Sequence, residues 1–128
     1  MITGFYAALI ALIFIALSIR IILYRRANKL GLGDHGDKSL MKRMRAQANC
    51  AEYAPFGLLL MGLVEIQFPN SSALHIIGGT LLAGRVLHGY GFSASPPIMP
   101  LRQLGMILTL TSYLVSIFLL IYLPLAPF

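Results

Sequence analysis

ITGFYAALIALIFIALSIRIILY, residues 2–24, is an unbroken apolar run with a single charged side chain, Arg20. A helix crosses the ~30 Å hydrocarbon core of a bilayer with about 20 residues, because each residue adds 1.5 Å. The run is therefore long and apolar enough for a transmembrane helix. It begins without basic residues and has no small-residue cleavage site, so we expect a retained helix rather than a removable signal peptide.

Three more apolar blocks of similar length follow this run, at residues 46–66, 73–91 and 101–123. The separating segments are KLGLGDHGDK (29–38), FPNSS (68–72) and FSASPPIMP (92–100). Their Gly, Pro and polar residues interrupt helices. With 58% hydrophobic and 11% charged residues, the chain has too little polar surface for a water-soluble globule. The sequence predicts one all-α domain over residues 1–128, an integral membrane four-helix bundle.

The positive charges predict how this bundle is oriented. Eight of the ten Lys and Arg residues lie between Arg20 and Arg45, and the net charge is +6. Basic loops stay in the cytoplasm, so we expect loops 25–45 and 92–100 on that side and both termini on the other. The cations are confined to one membrane face, which indicates the lipid bilayer rather than nucleic acid as the partner. In a bacterium this would be a multi-pass protein of the inner membrane.

Two chemistries receive no support from the sequence. Cys50 is the single cysteine, which excludes an internal disulfide framework. Asp34, His35 and Asp37 lie in a Gly-rich turn whose spacing fits no standard metal site. We therefore predict no metal.

The second apolar block begins with a polar motif, RAQANCAEYAP, at residues 45–55. Arg45, Asn49 and Glu52 fall within about 60° of one another on a helix, with Tyr53 on the flank and Gln47 elsewhere. Charged groups are costly in a membrane helix unless they are paired or face a polar cavity. Arg45 and Glu52 would then either pair to hold the bundle together or line a pocket for a zwitterionic, peptide-like ligand.

The fourth block opens with Arg102, two residues after Pro100. A cation beside a helix N-terminus stabilises an anion such as a thiolate. The alternative is that this arginine only extends toward the interface. Arg85, His88 and Tyr90 approach the same membrane side from the third block.

Three segments resemble the MAPEG family, the membrane-associated proteins in eicosanoid and glutathione metabolism. RAQANCAEYAPFGLLL (45–60) is similar to the second-helix motif of microsomal glutathione transferases and leukotriene C4 synthase. GRVLHGYG (84–91) and LRQLGMILTL (101–110) resemble the matching segments of small bacterial members. The resemblance spans essentially the whole chain. It implies a homotrimer with glutathione, a co-substrate, bound between neighbouring subunits near the cytosolic face.

The resemblance also implies roles for individual residues. Arg102 would be the catalytic residue that activates the thiol. Arg25 would contact glutathione from the first helix, with Arg26 and Arg20 as alternatives. The other implied glutathione contacts are Arg45, Gln47, Asn49, Glu52, Tyr53 and Tyr90. Val86 departs from the pattern, because catalytic members often have Tyr or His there.

Three functions remain open at this point. The first is a glutathione transferase, or a peroxidase of lipid hydroperoxides, acting on a lipophilic small molecule. The second is a non-catalytic relative that binds glutathione or a partner without turnover. The third, a small transporter or channel subunit, would need a polar path through the apolar stretches 58–63 and 108–115, which offer none.

Overall fold

We analysed a computed structural model, which describes residues 1–125. Within that range the chain forms four helices and no strand: α1 (Ile2–Ala27), α2 (Lys38–Gln67), α3 (Ala73–Ser93) and α4 (Met99–Leu125). By length and composition alone, α1 and α4 can each cross a membrane. The predicted all-α four-helix bundle is confirmed. Residues 126–128 of the predicted domain lie outside the described range.

Helix α2 is longer than its apolar block, because it begins at Lys38 rather than near Ala46. The predicted basic loop 25–45 is correspondingly shorter and covers residues 28–37. Hydropathy marks the part of a helix that faces lipid, whereas this first part of α2 is polar. Asp37 explains where the helix starts, since its carboxylate accepts a hydrogen bond from the backbone N–H of Leu40 at 3.0 Å.

Asp37 also connects the start of α2 to the end of α1. The Tyr24 hydroxyl donates to the second carboxylate oxygen of Asp37 at 2.8 Å. The backbone N–H of Leu40, followed by the Tyr24 hydroxyl, lowers the pKa of the Asp37 carboxyl below its usual value. These bonds fix the connection between the two helices outside the apolar blocks.

The closest helix packing is between α3 and α4. Gly84 and Gly105 face each other there: a Cβ on Gly84 would lie 2.7 Å from the Gly105 carbonyl oxygen. A Cβ on Gly105 would lie 2.6 Å from the His88 backbone nitrogen. Both positions therefore require glycine, and the close approach fixes the depth of Arg85 and His88 in the bundle.

The opposite end of the bundle is closed by Glu65, near the end of α2. Its carboxylate accepts from the backbone N–H groups of Ile2 and Thr3, at 2.6 and 2.9 Å. A carboxylate at a helix N-terminus satisfies free N–H groups and the positive end of the helix dipole. Glu65 is thus fully engaged in anchoring α1, far along α2 from the polar motif at residues 45–55.

Candidate functional site

Arg45 and Glu52 lie two turns apart on an exposed face of α2. Their closest charged atoms, Arg45 Nη1 and Glu52 Oε1, are 3.9 Å apart. Their side chains remain 56% and 55% exposed. This distance is an ion pair without a hydrogen bond, and exposed pairs of this kind contribute little to stability. The two charges therefore face outward with most of their bonding capacity unused.

Asn49 belongs to the same helix face but turns toward the bundle interior. Its side-chain oxygen accepts a hydrogen bond from Arg85 Nη1 at 2.6 Å, and its backbone oxygen accepts from the same nitrogen at 3.3 Å. The amide oxygen is thereby engaged, which directs the amide NH2 away from Arg85. Asn49 therefore contacts Arg85 rather than the Arg45–Glu52 pair.

Arg85 is the buried centre of this interior network. Arg85 is only 1% exposed, and its Nε and Nη2 donate to Thr109 Oγ1 at 3.1 and 2.9 Å. The guanidinium carbon lies 5.7 Å from the centre of the Tyr53 ring. Within residues 1–125 no carboxylate lies within ion-pair distance of it. Sequence reasoning assigned Arg85 no site role, although an arginine inside an apolar block is itself a signal.

Arg25, Arg45 and Gln47 line one groove between α1 and α2, with a volume of about 360 Å³. Gln47 Nε2 donates to the Ser18 hydroxyl at 3.2 Å, which ties α2 to α1 beside the groove. Arg25 donates to the backbone oxygens of Gly31 and Gly33, so it also orders the connecting loop. The structure brings these three predicted residues together.

Tyr90 and Arg102 lie apart from that groove in a single chain. Tyr90, 64% exposed, lines a groove with Arg20 and the segment 93–100. The Arg102 guanidinium stacks 3.9 Å from the centre of the Phe92 ring and lines a third groove with His88. Stacking occupies the face of a guanidinium and leaves its in-plane N–H donors directed sideways.

The predicted site residues thus fall into separate groups on one chain. The groups are the groove with Arg25, Arg45 and Gln47 and the adjoining Glu52; the interior pair Asn49 and Tyr53; and the outlying Tyr90 and Arg102. Val86 is 46% exposed and presents no polar group on the outer side of α3. A single chain therefore does not enclose one pocket with all predicted contacts.

Comparison with known proteins agrees with the resemblance. The chain is similar to the inner membrane protein YecN of Escherichia coli strain K12, with 35% identity over 92 residues. The match covers 72% of this chain and 70% of the relative. The protein of the same name from E. coli O6:H1 matches to the same extent. A family model described as the MAPEG family matches residues 3–122. The chain is an integral membrane four-helix protein that belongs to the MAPEG family.

Proposed function

We propose that this protein is a glutathione-dependent enzyme of the inner membrane, a glutathione transferase or lipid-hydroperoxide peroxidase, that works as a homotrimer. Its membership of the MAPEG family supports a role in glutathione or eicosanoid metabolism. The observation that carries the proposal is the Arg45–Glu52 ion pair, which is more than half exposed on a helix of a membrane protein. Charged groups on a membrane helix persist when they face water, a ligand or a second chain, and we assign these two a ligand and a second chain.

The ion pair matches the charges of an amino-acid-like ligand. An arginine binds a carboxylate through its planar fork of N–H groups, and a glutamate binds an ammonium. Because Arg45 and Glu52 are 3.9 Å apart and exposed, a ligand that carries both groups can replace their mutual contact at small cost. The γ-glutamyl end of glutathione carries both an ammonium and a carboxylate. Gln47, in the adjoining groove, supplies amide groups for its peptide bonds.

A second copy would complete the site. Arg25, Arg45 and Gln47 line an open groove, whereas Tyr90 and Arg102 lie elsewhere on the same chain. When these surfaces from neighbouring copies meet, one ligand can contact both groups. Association also covers the exposed charges of α2, which cost roughly 2.5 to 3.5 kcal/mol each at the bilayer centre and less near the interface.

Arg102 would supply the chemistry by holding the thiol as a thiolate. Its in-plane N–H donors, at the first turn of α4, stabilise the negative sulfur while the thiol proton leaves to solvent. In the transferase reaction the sulfur forms a bond to the electrophilic carbon, and the leaving group departs with its electron pair. In the peroxidase reaction two thiols reduce one hydroperoxide, giving an alcohol, water and a disulfide.

Glutathione binding tests this proposal. The thermal stability of the detergent-purified protein is measured with millimolar glutathione, for wild type, Arg45→Ala, Glu52→Ala and the control Lys29→Ala. Lys29 is an exposed cation of the loop outside the groove. We expect stabilisation of wild type and control that disappears in the two site variants. No stabilisation of a folded wild-type oligomer would refute the proposal.

Val86 favours a second candidate, a glutathione-binding protein without turnover, because catalytic members of the family often have Tyr or His at this position and the exposed Val86 offers no polar group. The enzyme is identified by two signals together: a thiolate absorbance at about 240 nm that is lost in Arg102→Ala, and formation of the glutathione conjugate. Binding without either signal identifies the non-catalytic protein.

A further inference from the structure

Arg102 is held by an aromatic ring rather than by hydrogen bonds. Its guanidinium carbon lies 3.9 Å from the centre of the Phe92 ring. Within residues 1–125 its guanidinium forms no hydrogen bond or ion pair, whereas Arg25 and Arg85 donate to oxygen atoms of the chain. The orientation of Arg102 therefore depends on a contact to the flat face of its guanidinium.

The Phe92 ring is itself held in place by a neighbour on its own helix. The His88 ring, one turn earlier on α3, lies 5.6 Å from the Phe92 ring at an angle of 42°. Residues four apart on a helix lie on the same face, so this pair follows from helix geometry. His88 is only 4% exposed, and the Phe92 ring therefore packs on a buried side chain.

The backbones of α3 and α4 approach closely beside this ring. A Cβ on Gly91 would lie 3.0 Å from the Arg102 backbone nitrogen and 2.8 Å from the Leu101 Cβ. The Ile98 N–H donates to the Gly91 oxygen at 2.8 Å, and the Arg102 N–H donates to the Ile98 oxygen at 3.2 Å. These contacts fix the start of α4 against the end of α3, so the Arg102 side chain begins next to the Phe92 ring.

The position of Arg102 on α4 explains why it needs such a neighbour. The helix begins at Met99, so Arg102 lies in its first turn. A cation is unfavourable there, because the free N–H groups of a helix N-terminus carry a partial positive charge. The negative face of an aromatic ring attracts a guanidinium and offsets this repulsion. Without the ring, the Arg102 side chain would extend away from the helix into water.

A stacked guanidinium also keeps its hydrogen-bond donors. All five N–H donors lie in the plane of the group, and a ring on its face occupies none of them. Arg85, by contrast, already donates to Thr109 and Asn49. Because the ring restricts the Arg102 side chain before any ligand arrives, less conformational freedom is lost when an anion binds.

We propose that Phe92 is a positioning residue for the thiol chemistry: its ring holds the Arg102 guanidinium so that the in-plane donors meet the thiolate sulfur. This inference rests on the proposed function, which gives Arg102 its role. Phe92 acts on the ionisation of the bound thiol through Arg102. The γ-glutamyl end of glutathione is bound by other residues, Arg45 and Glu52, so ionisation and affinity should respond differently to a change at Phe92.

Ionisation of bound glutathione as a function of pH tests the proposal. Thiolate absorbance at about 240 nm is followed from about pH 5 to pH 9 at saturating glutathione. We expect Phe92→Leu to raise the midpoint of thiol ionisation by about one pH unit, because the thiolate loses a well-placed donor group. Phe92→Tyr keeps an aromatic face and should keep the wild-type midpoint.

Phe118→Leu is the matched control. Phe118 stacks on Tyr122 with ring centres 5.0 Å apart, further along α4 and away from Arg102. The same substitution in the same helix should leave the midpoint unchanged. A shift as large as that of Phe92→Leu would mean that loss of aromatic packing alone changes the site, and it would overturn the proposal.

Affinity and turnover separate positioning from a general loss of structure. Phe92 also lines a groove with Arg45, so glutathione affinity is measured separately, at a pH below both midpoints. In Phe92→Leu we expect the half-saturating concentration to change by less than about twofold. Conjugate formation at the same pH should fall by up to about tenfold, in proportion to the thiolate. Equal losses of affinity and turnover would assign Phe92 a merely structural role.

A measurement without glutathione checks the stack itself. The Phe92 ring current should shift the NMR signals of the Arg102 side chain, which Arg102→Lys identifies, and Phe92→Leu should remove the shift. Absence of the shift in wild type would overturn the proposal. A thiolate that is lost in Arg102→Ala but unchanged in Phe92→Leu would overturn the role of Phe92 and leave the proposed function intact. No thiolate in wild type would refute the enzyme and, with it, the positioning role.

Discussion

Arg45 and Arg85 are both arginines of a membrane helix, yet their surroundings are opposite. Arg45 is more than half exposed and faces a carboxylate at 3.9 Å, whereas Arg85 is buried and, within the described residues, donates only to neutral oxygens and to the Met106 sulfur. The exposed cation is held by an opposite charge that a ligand can replace. The buried cation, on α3, is held by the hydrogen bonds that it donates to α2 and α4, which nothing can replace without repacking.

Because of this difference, one cluster of polar residues contains both a residue suited to ligand binding and a residue that holds the helices together. Arg85 joins α3 to Thr109 of α4 and to Asn49 of α2, so it fixes the position of the face that carries Arg45. It acts on the proposed ligand through Asn49, whose amide oxygen it holds, and through Tyr53, whose ring centre lies 5.7 Å from its guanidinium carbon. We therefore regard Arg85 as a positioning residue and Arg45 as a ligand-binding residue.

The largest effect is expected from removing the buried arginine. Arg85→Ala should lower the free energy of unfolding by about 3 kcal/mol, because it opens a cavity and leaves the Asn49 oxygen without its donor. Arg45→Ala should lower it by less than about 1 kcal/mol, since exposed ion pairs contribute little. Reversible thermal or denaturant unfolding in detergent measures both values. Equal losses would break the distinction between the two arginines.

A more conservative variant controls for the cavity. Thr109→Val keeps the side-chain shape but removes the oxygen that accepts two bonds from Arg85. Its loss of stability should fall between those of Arg85→Ala and Arg45→Ala, at about 1 to 2 kcal/mol. A neutral result would mean that the buried arginine is held by shape rather than by hydrogen bonds.

A smaller effect on stability, with a clear effect on binding, is expected from exchanging the two exposed charges. Arg45→Glu combined with Glu52→Arg restores an ion pair, so stability should return to within about 0.5 kcal/mol of wild type. Glutathione affinity should remain at least about tenfold lower, because each charged group of the ligand then meets a like charge. Arg25 and Gln47 keep the groove in its original orientation, which prevents the ligand from simply reversing.

Titration of glutathione into the exchanged variant and the two single variants measures this effect. Recovery of wild-type affinity in the exchanged variant would show that the pair has only a structural role, the first of the two interpretations that the motif allowed. Both interpretations are compatible with the 3.9 Å contact, and only the exchange separates them.

The sequence predicted the helices because each apolar block is as long as a bilayer is thick, and it predicted the family from residues 45–60. It placed Arg45 and Glu52 on one face correctly, since positions seven apart on one helix follow from helix geometry alone. It could not predict the Asn49–Arg85 bond, which joins residues 36 positions apart through tertiary packing. The helical start of α2 was also missed, because its polar first turns carry no hydropathy signal.

The same limit applies to the grouping of the site. Tyr90 and Arg102 were predicted at the same membrane face as the α2 motif, and the resemblance implied a ligand between subunits, but helix periodicity gives no relation between different helices. In one chain they line other grooves. Whether they meet the α2 face across subunits stays a prediction, which the oligomeric state and the effect of Arg102→Ala on binding would test.

The smallest effect on stability is expected at Asp37, at the N-terminus of α2. Its carboxylate is held by neutral donors, whereas that of Glu52 faces a cation. The hydrogen bonds from the Leu40 N–H and the Tyr24 hydroxyl lower the pKa of Asp37 below its usual 3.8. Because the pKa of Asp37 is lower in the folded state than in the unfolded state, its ionised form stabilises the protein fully at pH values above the unfolded-state pKa. That contribution is lost as the pH falls through the folded value, so wild type should lose stability below about pH 4.

Asp37→Asn is the matched control, because asparagine can also cap α2 but does not titrate. The difference between the melting temperatures of wild type and Asp37→Asn, followed from about pH 6 to pH 3, isolates Asp37 from the other carboxylates. Tyr24→Phe removes one cause of the lowered pKa, so it should move the loss of stability to higher pH. A difference that does not change with pH would mean that the cap acts through geometry alone. In that case Asp37, like Arg85, would hold the bundle by hydrogen bonds, and charge would matter only at the exposed pair.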